Sequence, residues 1–161
     1  MAPGSEINDP STKRYVLRMG VLVETDEVFE AWSSGDLSQM LKVLTTRTNF
    51  VDRHFLLMSI VNVAYRNRKS DSKMRDLCKR ISELHIQEFP NIAPALSKEM
   101  GGFLPWVTTF QHYATVLTED GEFQKAIEVC EKAIIYGLHD GTQSGFEGRI
   151  VRIKKKIGAN K

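Results

Sequence analysis

Residues 110–133 read FQHYATVLTEDGEFQKAIEVCEKA, and the reading of this stretch decides the fold. Phe110, Tyr113, Ala114 and Leu117 recur at steps of three and four, which places apolar side chains on one face of a helix. Glu119, Asp120 and Gly121 interrupt the pattern, and Phe123, Ala126, Cys130 and Ala133 resume it. Helix, tight break, helix is the order of an antiparallel hairpin. Ala114 and Ala126 fall where the two helices would cross, and a larger side chain at either would push the backbones apart. Gly121 lets the chain reverse tightly, and Phe123 fills the space at the hairpin end.

These residue types at these spacings resemble the tetratricopeptide repeat, with the specific match confined to about residues 107–140. The pattern departs where a proline usually closes the second helix, since Gly137 and Leu138 stand there. The resemblance implies an all-α fold of antiparallel hairpins stacked in a short superhelix. It also implies that the first helices of successive hairpins line a concave groove that binds a peptide or a partner helix of another protein. A shift of about 49 residues brings Met74, Leu77, Ile81 and Leu84 onto Phe123, Ala126, Cys130 and Ala133, without the small crossing residues and beyond the family's 34-residue period. The preceding pair is therefore repeat-like only.

Working outward, residues 51–66 carry Phe55, Leu56, Leu57, Met58, Ile60, Val61, Val63 and Ala64, apolar nearly all round, as expected of a central helix covered on most sides. Residues 72–89 show a single stripe of Met74, Leu77, Cys78, Ile81, Leu84 and His85, with charges elsewhere. Pro90 is expected to stop that helix, with a connector of one or two helical turns over 91–100 and an exit at Gly101 and Gly102. A first, weaker pair is expected over 25–33 and 36–46, with Asp36 as its second cap. The Val- and Leu-rich run 15–23 reads as a helix or a short strand, and helix is the expectation here. At the other end, Ser144 and Glu147 have capping-box spacing. They precede Phe146, Ile150, Ile153 and Ile157, which mark an amphipathic capping helix. Residues 14–158 are thus expected to form one all-α domain behind a disordered tail, residues 1–13, rich in Pro and Gly.

The chain has 161 residues, 42% of them apolar, enough for a core without metals or disulfides. Cys78 and Cys130 lie among apolar neighbours at helical spacing and read as core thiols of a reducing compartment. No leader-like start and no membrane-length apolar run is present, which gives the expectation of a cytoplasmic protein. The net charge is +2, yet Arg149, Arg152, Lys154, Lys155, Lys156 and Lys161 concentrate six positive charges, so residues 1–148 are net acidic. The basic character is a local property of the last helix.

Two binding surfaces follow. Under the resemblance, Asn62 and Arg66 of the second pair and Thr108, Gln111, Thr115 and Thr118 of the third would face the groove, although solvated helix surface has the same composition. No lysine and asparagine set of the carboxylate-gripping kind occurs on the face from Thr108 to Thr118. The alternative is nucleic-acid or acidic-surface binding through Arg149, Arg152, Lys154, Lys155 and Lys156; cations near a helix C-terminus also favour its dipole without any partner. Catalysis is not expected. His54, His85, His112 and His139 are scattered, His85 falls on an apolar stripe, and Asp52 with His54 has no nominated nucleophile. No metal-ligand spacing and no phosphate-binding glycine loop is present, so neither metal nor cofactor is expected. Uneven hairpins can leave an apolar face uncovered, on which a homodimer could form.

Overall fold

The computed structural model describes residues 13–159. The tail expected over residues 1–13 lies, apart from Lys13, outside the described residues. Two short strands, β1 (Tyr15–Arg18) and β2 (Val21–Glu24), precede seven helices: α1 (Glu27–Ser34), α2 (Leu37–Lys42), α3 (Phe50–Arg66), α4 (Ser72–Glu99), α5 (Thr109–Glu119), α6 (Phe123–Ile135) and α7 (Gly145–Ala159). The protein is mostly helical.

The strands correct the expectation of helix over residues 15–23. They pair antiparallel with Val16 opposite Val23 and Leu17 opposite Leu22. Met19 and Gly20 form the two-residue connection, both at positive φ, 54° and 80°. That geometry matches the twist of a hairpin. A helix would have placed Gly20 in its interior, at a cost of about 1 kcal/mol, and Val16, Val21 and Val23 prefer extended backbone. Arg18 anchors the hairpin by donating Nη2 to Asp52 Oδ1 at the start of α3, 2.8 Å away. Asp52 also accepts from Trp32 Nε1 of α1 at 3.0 Å and from the Asn49 side chain at 2.6 Å. Burial alone would raise the Asp52 pKa, but these donors hold it below the usual carboxylate value.

Helix α3 is the central element and contacts α1, α2, α4 and α5. Its Val51, Leu56, Leu57, Ile60, Val61 and Ala64 are wholly enclosed. Asn49 caps it by accepting from the Asp52 amide. Helix α4 does not stop at Pro90; it runs through both Pro90 and Pro94 to Glu99. The two prolines stand four residues apart, so they fall on the same side of the helix, and both are exposed. Each interior proline costs about 3 kcal/mol. Burial of Phe89, Ile92 and Leu96 on the opposite face, at about 1.5–3 kcal/mol each, offsets a cost of that size. The helix then ends at Gly101 and Gly102, both at positive φ.

Helices α5 and α6 pack as the hairpin read from the sequence. Ala114, Leu117, Ala126, Cys130 and Ala133 are buried, and Gly121 has φ 78°. The reversal is closed by two bonds: the Glu122 amide donates to the Leu117 carbonyl at 2.8 Å and the Gly121 amide to Thr118 at 3.1 Å. This is the left-handed glycine termination, which gives helix-end carbonyls partners they would otherwise lack. The same device ends α6, with Gly137 at φ 71° and the Leu138 amide bonded to the Ala133 carbonyl. Phe89 of α4 meets Phe110 and Tyr136 edge to face at 5.3 and 4.7 Å, which joins the two hairpins through their core. At the far end, Arg68 and Arg75 grip Glu119, and Arg75 and Lys79 grip Asp120.

The start of α7 differs from the capping box expected of Ser144 and Glu147. The Ser144 hydroxyl accepts from Arg152 instead, and the Thr142 hydroxyl accepts from the Gly145 amide at 3.1 Å. No described helix is long and apolar enough to cross a membrane. Replacing Ala114 or Ala126 by phenylalanine should overpack the crossing of α5 and α6 by about 1–3 kcal/mol and lower the melting temperature by several degrees, measured by calorimetry. An unchanged melting temperature would show that the helices do not cross tightly there.

Candidate functional site: one face shared by three helices

Helices α3, α5 and α7 turn their polar sides to a common face. Asn62 of α3 accepts from the Thr108 hydroxyl at 2.7 Å, which ties α3 to the first turn of α5. One turn further along, Tyr65 stacks on His112, with ring centroids 3.8 Å apart, and the Arg68 guanidinium covers the other part of the tyrosine at 3.8 Å. Gln111 accepts from Trp106 Nε1, and its carbonyl accepts from the Thr115 hydroxyl. The Thr118 hydroxyl likewise donates back to the Ala114 carbonyl. Both hydroxyls thus bond to their own helix, and the Thr115 oxygen in turn accepts from Arg149 of α7. Asn62, Thr108, Gln111, Thr115 and Thr118 are all half-buried, while Arg66 is exposed and forms no ion pair among the described residues.

Helix α7 closes this face on one side. Arg149 donates Nη1 to Thr115 Oγ1 at 3.0 Å and Nε to Asp140 Oδ2 at 3.1 Å. The Asp140 side chain is fully enclosed, and its other oxygen accepts from both the amide and the hydroxyl of Thr142. Burial pushes the Asp140 pKa up, and the Thr142 and Arg149 bonds more than reverse this and keep it ionised. Between α5 and α7 lies a cleft of about 270 Å³, lined by Thr115, Thr118, Glu119, Arg149, Arg152, Ile153 and Lys156.

The two surfaces kept separate in the sequence therefore meet. Thr115 and Thr118 of the groove set share one cavity with Arg149, Arg152 and Lys156 of the basic set. Lys154 and Lys155 do not belong with them: residues 149, 152, 153 and 156 lie on one face of α7, and 154 and 155 are exposed away from the cavity. The basic patch is thus split by helical periodicity. Tyr65 and His112 were not picked out from the sequence, because each looks like an ordinary helix residue until α3 and α5 are laid side by side.

The histidines are not scattered as expected. His54 and His85 meet inside the core, Nδ1 to Nε2 at 3.0 Å, and His85 Nδ1 meets Thr109 Oγ1 at 2.7 Å. His54 Nε2 is buried without a hydrogen-bond partner among the described residues. Protons on His54 Nδ1 and His85 Nδ1 make a chain in which the histidines donate in turn and Thr109 accepts. Only a lone pair is then left bare, the less costly alternative to an orphaned N–H. Burial lowers the His54 pKa to about 4; burial and then the neighbouring His54 and Arg53 lower that of His85 well below 6.5. His112, lowered to about 4 by burial and then by Arg68 and Arg149, is neutral on the inner face as well. Asp52, two residues before His54, is engaged by Arg18, Trp32 and Asn49. Cys78 and Cys130 are buried, and burial pushes the Cys130 thiol up to about 11, where it is a poor nucleophile.

A second cleft, of about 230 Å³, lies between α4 and α6. Glu83, Glu128, Lys125 and Lys132 line it with balanced charge, and Glu83 already accepts from the Tyr113 hydroxyl and pairs with Lys125. It offers an incoming group no unspent charge of one sign. No grouping of three metal-binding side chains occurs among the described residues. Comparison of the chain with protein-family models, with curated proteins and with solved structures finds no match, so its function is read from geometry and chemistry.

Below pH 6.5 the unfolded chain protonates His54, whereas the folded chain resists until about pH 4. The unfolded state then holds more protons, so stability falls as pH falls across that window. At pH 5 the loss from His54 should be about 2 kcal/mol relative to pH 7, measured by urea unfolding. The variant His54→Gln should flatten this slope, and an identical slope in the variant would refute the assignment.

Proposed function

We propose that the protein is a non-catalytic interaction module, tetratricopeptide-like in architecture, that holds a peptide or partner helix of another protein against the shared face of α3, α5 and α7. The observation that carries this reading is the continuity of that face. A row of half-buried polar side chains runs from Asn62 and Thr108 through Gln111 to Thr115 and Thr118, and ends in a cavity with cationic walls. Its hydroxyls and amides are held in place by bonds to their own helices or neighbours, so a ligand meets a preorganised surface and little side-chain entropy is lost on binding. At about 270 Å³ the cavity is smaller than typical small-molecule sites, which run to roughly 300–1,000 Å³, and its size suits one side chain of a larger partner.

The second reading, contact with nucleic acid or an acidic surface, draws on Lys154 and Lys155, which are exposed and form no ion pair among the described residues. Phosphate binding by such lysines weakens steeply with added salt, because it depends on counterion release. The two readings therefore separate in an affinity pull-down followed by mass spectrometry, performed at low and high salt. A protein retained at high salt by the wild type and lost from an Arg66→Ala, Gln111→Ala variant of unchanged helicity is the expected outcome. Equal capture by that variant would remove the inner face from the account.

A further inference from the structure

The geometry points to an oxyanion subsite in the cleft between α5 and α7, built to take a carboxylate or phosphate group carried on an acidic segment of the partner. This rests on the reading of the inner face as a protein-binding groove and names the chemistry of its occupant.

Charge balance within the cleft is the first argument. Arg149 is neutralised by the enclosed Asp140 and is held by Thr115, so it is a fixed wall. Arg152 has only the Ser144 hydroxyl, 2.9 Å from Nη1, and Lys156 makes no ion pair among the described residues. The one carboxylate in the lining, Glu119, accepts two bonds from Arg68 at 3.0 and 2.9 Å and a third from Arg75. Those contacts lower its pKa and leave it little capacity to satisfy the cations across the cleft. Arg152 and Lys156, both exposed and without a carboxylate partner among the described residues, therefore share a recess with Thr115, Thr118, Arg149, Ile153 and the already engaged Glu119.

Geometry is the second argument. Arg152 and Lys156 are four residues apart on α7, so they project from successive turns of one face toward the same space. Arginine's fork can meet two oxygens of a single carboxylate or phosphate, and lysine can add a third bond from below.

An acidic peptide fits this site better than a nucleic acid. Two free cations neutralise one or two oxyanions, whereas a duplex engages several phosphates along a continuous basic surface. Residues 1–148 are net acidic, and no aromatic side chain is interleaved with Arg149, Arg152 and Lys156 to stack a base.

The test uses the whole chain. Amide and arginine side-chain resonances are followed by NMR during titration with inorganic phosphate, at constant ionic strength against sodium chloride. Anisotropy of dye-labelled hexaglutamate, hexalysine and a single-stranded oligonucleotide is then measured on the same protein. Phosphate should shift Thr115, Thr118, Arg149 and Arg152. Hexaglutamate should bind, with phosphate as competitor, and hexalysine should not. Arg152→Glu with Lys156→Glu should weaken hexaglutamate about tenfold or more, while the charge-matched control Lys154→Glu with Lys155→Glu should leave it unchanged; circular dichroism checks that both remain folded. Equal weakening by the control would reduce the site to general charge and overturn the proposal. So would phosphate shifts that spread evenly over the protein, or an oligonucleotide that binds more tightly than hexaglutamate through Lys154 and Lys155. If the subsite fails but partner capture still depends on Arg66 and Gln111, the groove stands without it; if capture fails and phosphate still shifts the cleft, the reverse holds.

Discussion

The arrangement turns on a single side chain, Arg149, which joins a buried carboxylate to a threonine on another helix. Its guanidinium spans Asp140, in the loop before α7, and Thr115, midway along α5. Without that bridge α7 would still cover the hairpin through Phe146 and Ile153, both buried. The stripe of Phe146, Ile150, Ile153 and Ile157 turns one face of α7 to the core, and the bridge adds a directional bond to α5. Stripe and bridge together hold the orientation in which Arg152 and Lys156 line the cleft and Lys154 and Lys155 do not.

The bridge in turn depends on elements placed by simpler forces. Small residues at the crossing of α5 and α6 set their spacing, and left-handed glycines at 121 and 137 end each helix where the next must begin. The loop from Tyr136 to Ser144 is then short enough for Asp140 to fold inward, where Thr142 supplies two of its donors. On the opposite side of the molecule Asp52 plays a comparable part, gathering Arg18, Trp32 and Asn49, so that the strand hairpin, α1 and α3 share one ionised carboxylate. In both places a buried carboxylate is tolerated because its donors come from several elements at once.

The reading from sequence succeeded where a local pattern is also the tertiary cause. The α5–α6 hairpin was legible because Ala114, Gly121 and Ala126 are needed by the backbone itself, and α3 because a helix that is apolar all round has to be enclosed. It went astray where distant burial overrides a local rule. Pro90 breaks helices in isolation, yet the enclosed Phe89, Ile92 and Leu96 keep α4 continuous past it. The run from Tyr15 to Val23 is too short for periodicity to separate strand from helix, although Gly20 between valine-rich segments was the available signal. Nothing local could pair His54 with His85, 31 positions apart, or show that threonines of α5 and cations of α7 line a common cavity. That union depends on how α7 is seated against α5, which involves the partners of Arg149 as well as the apolar stripe of α7. Ser144 was misassigned for the same reason, since its spacing to Glu147 suits a cap but Arg152 reaches its hydroxyl instead.

The most direct test of this account is a double-mutant cycle on folding stability using Asp140→Asn, Arg149→Gln and the combined variant. Because removing one partner leaves the other buried group without compensation, the account predicts strong non-additivity, with a coupling energy of about 1 kcal/mol or more. Effects that simply add, to within about 0.3 kcal/mol, would contradict it. In that case α7 would be seated by apolar packing alone.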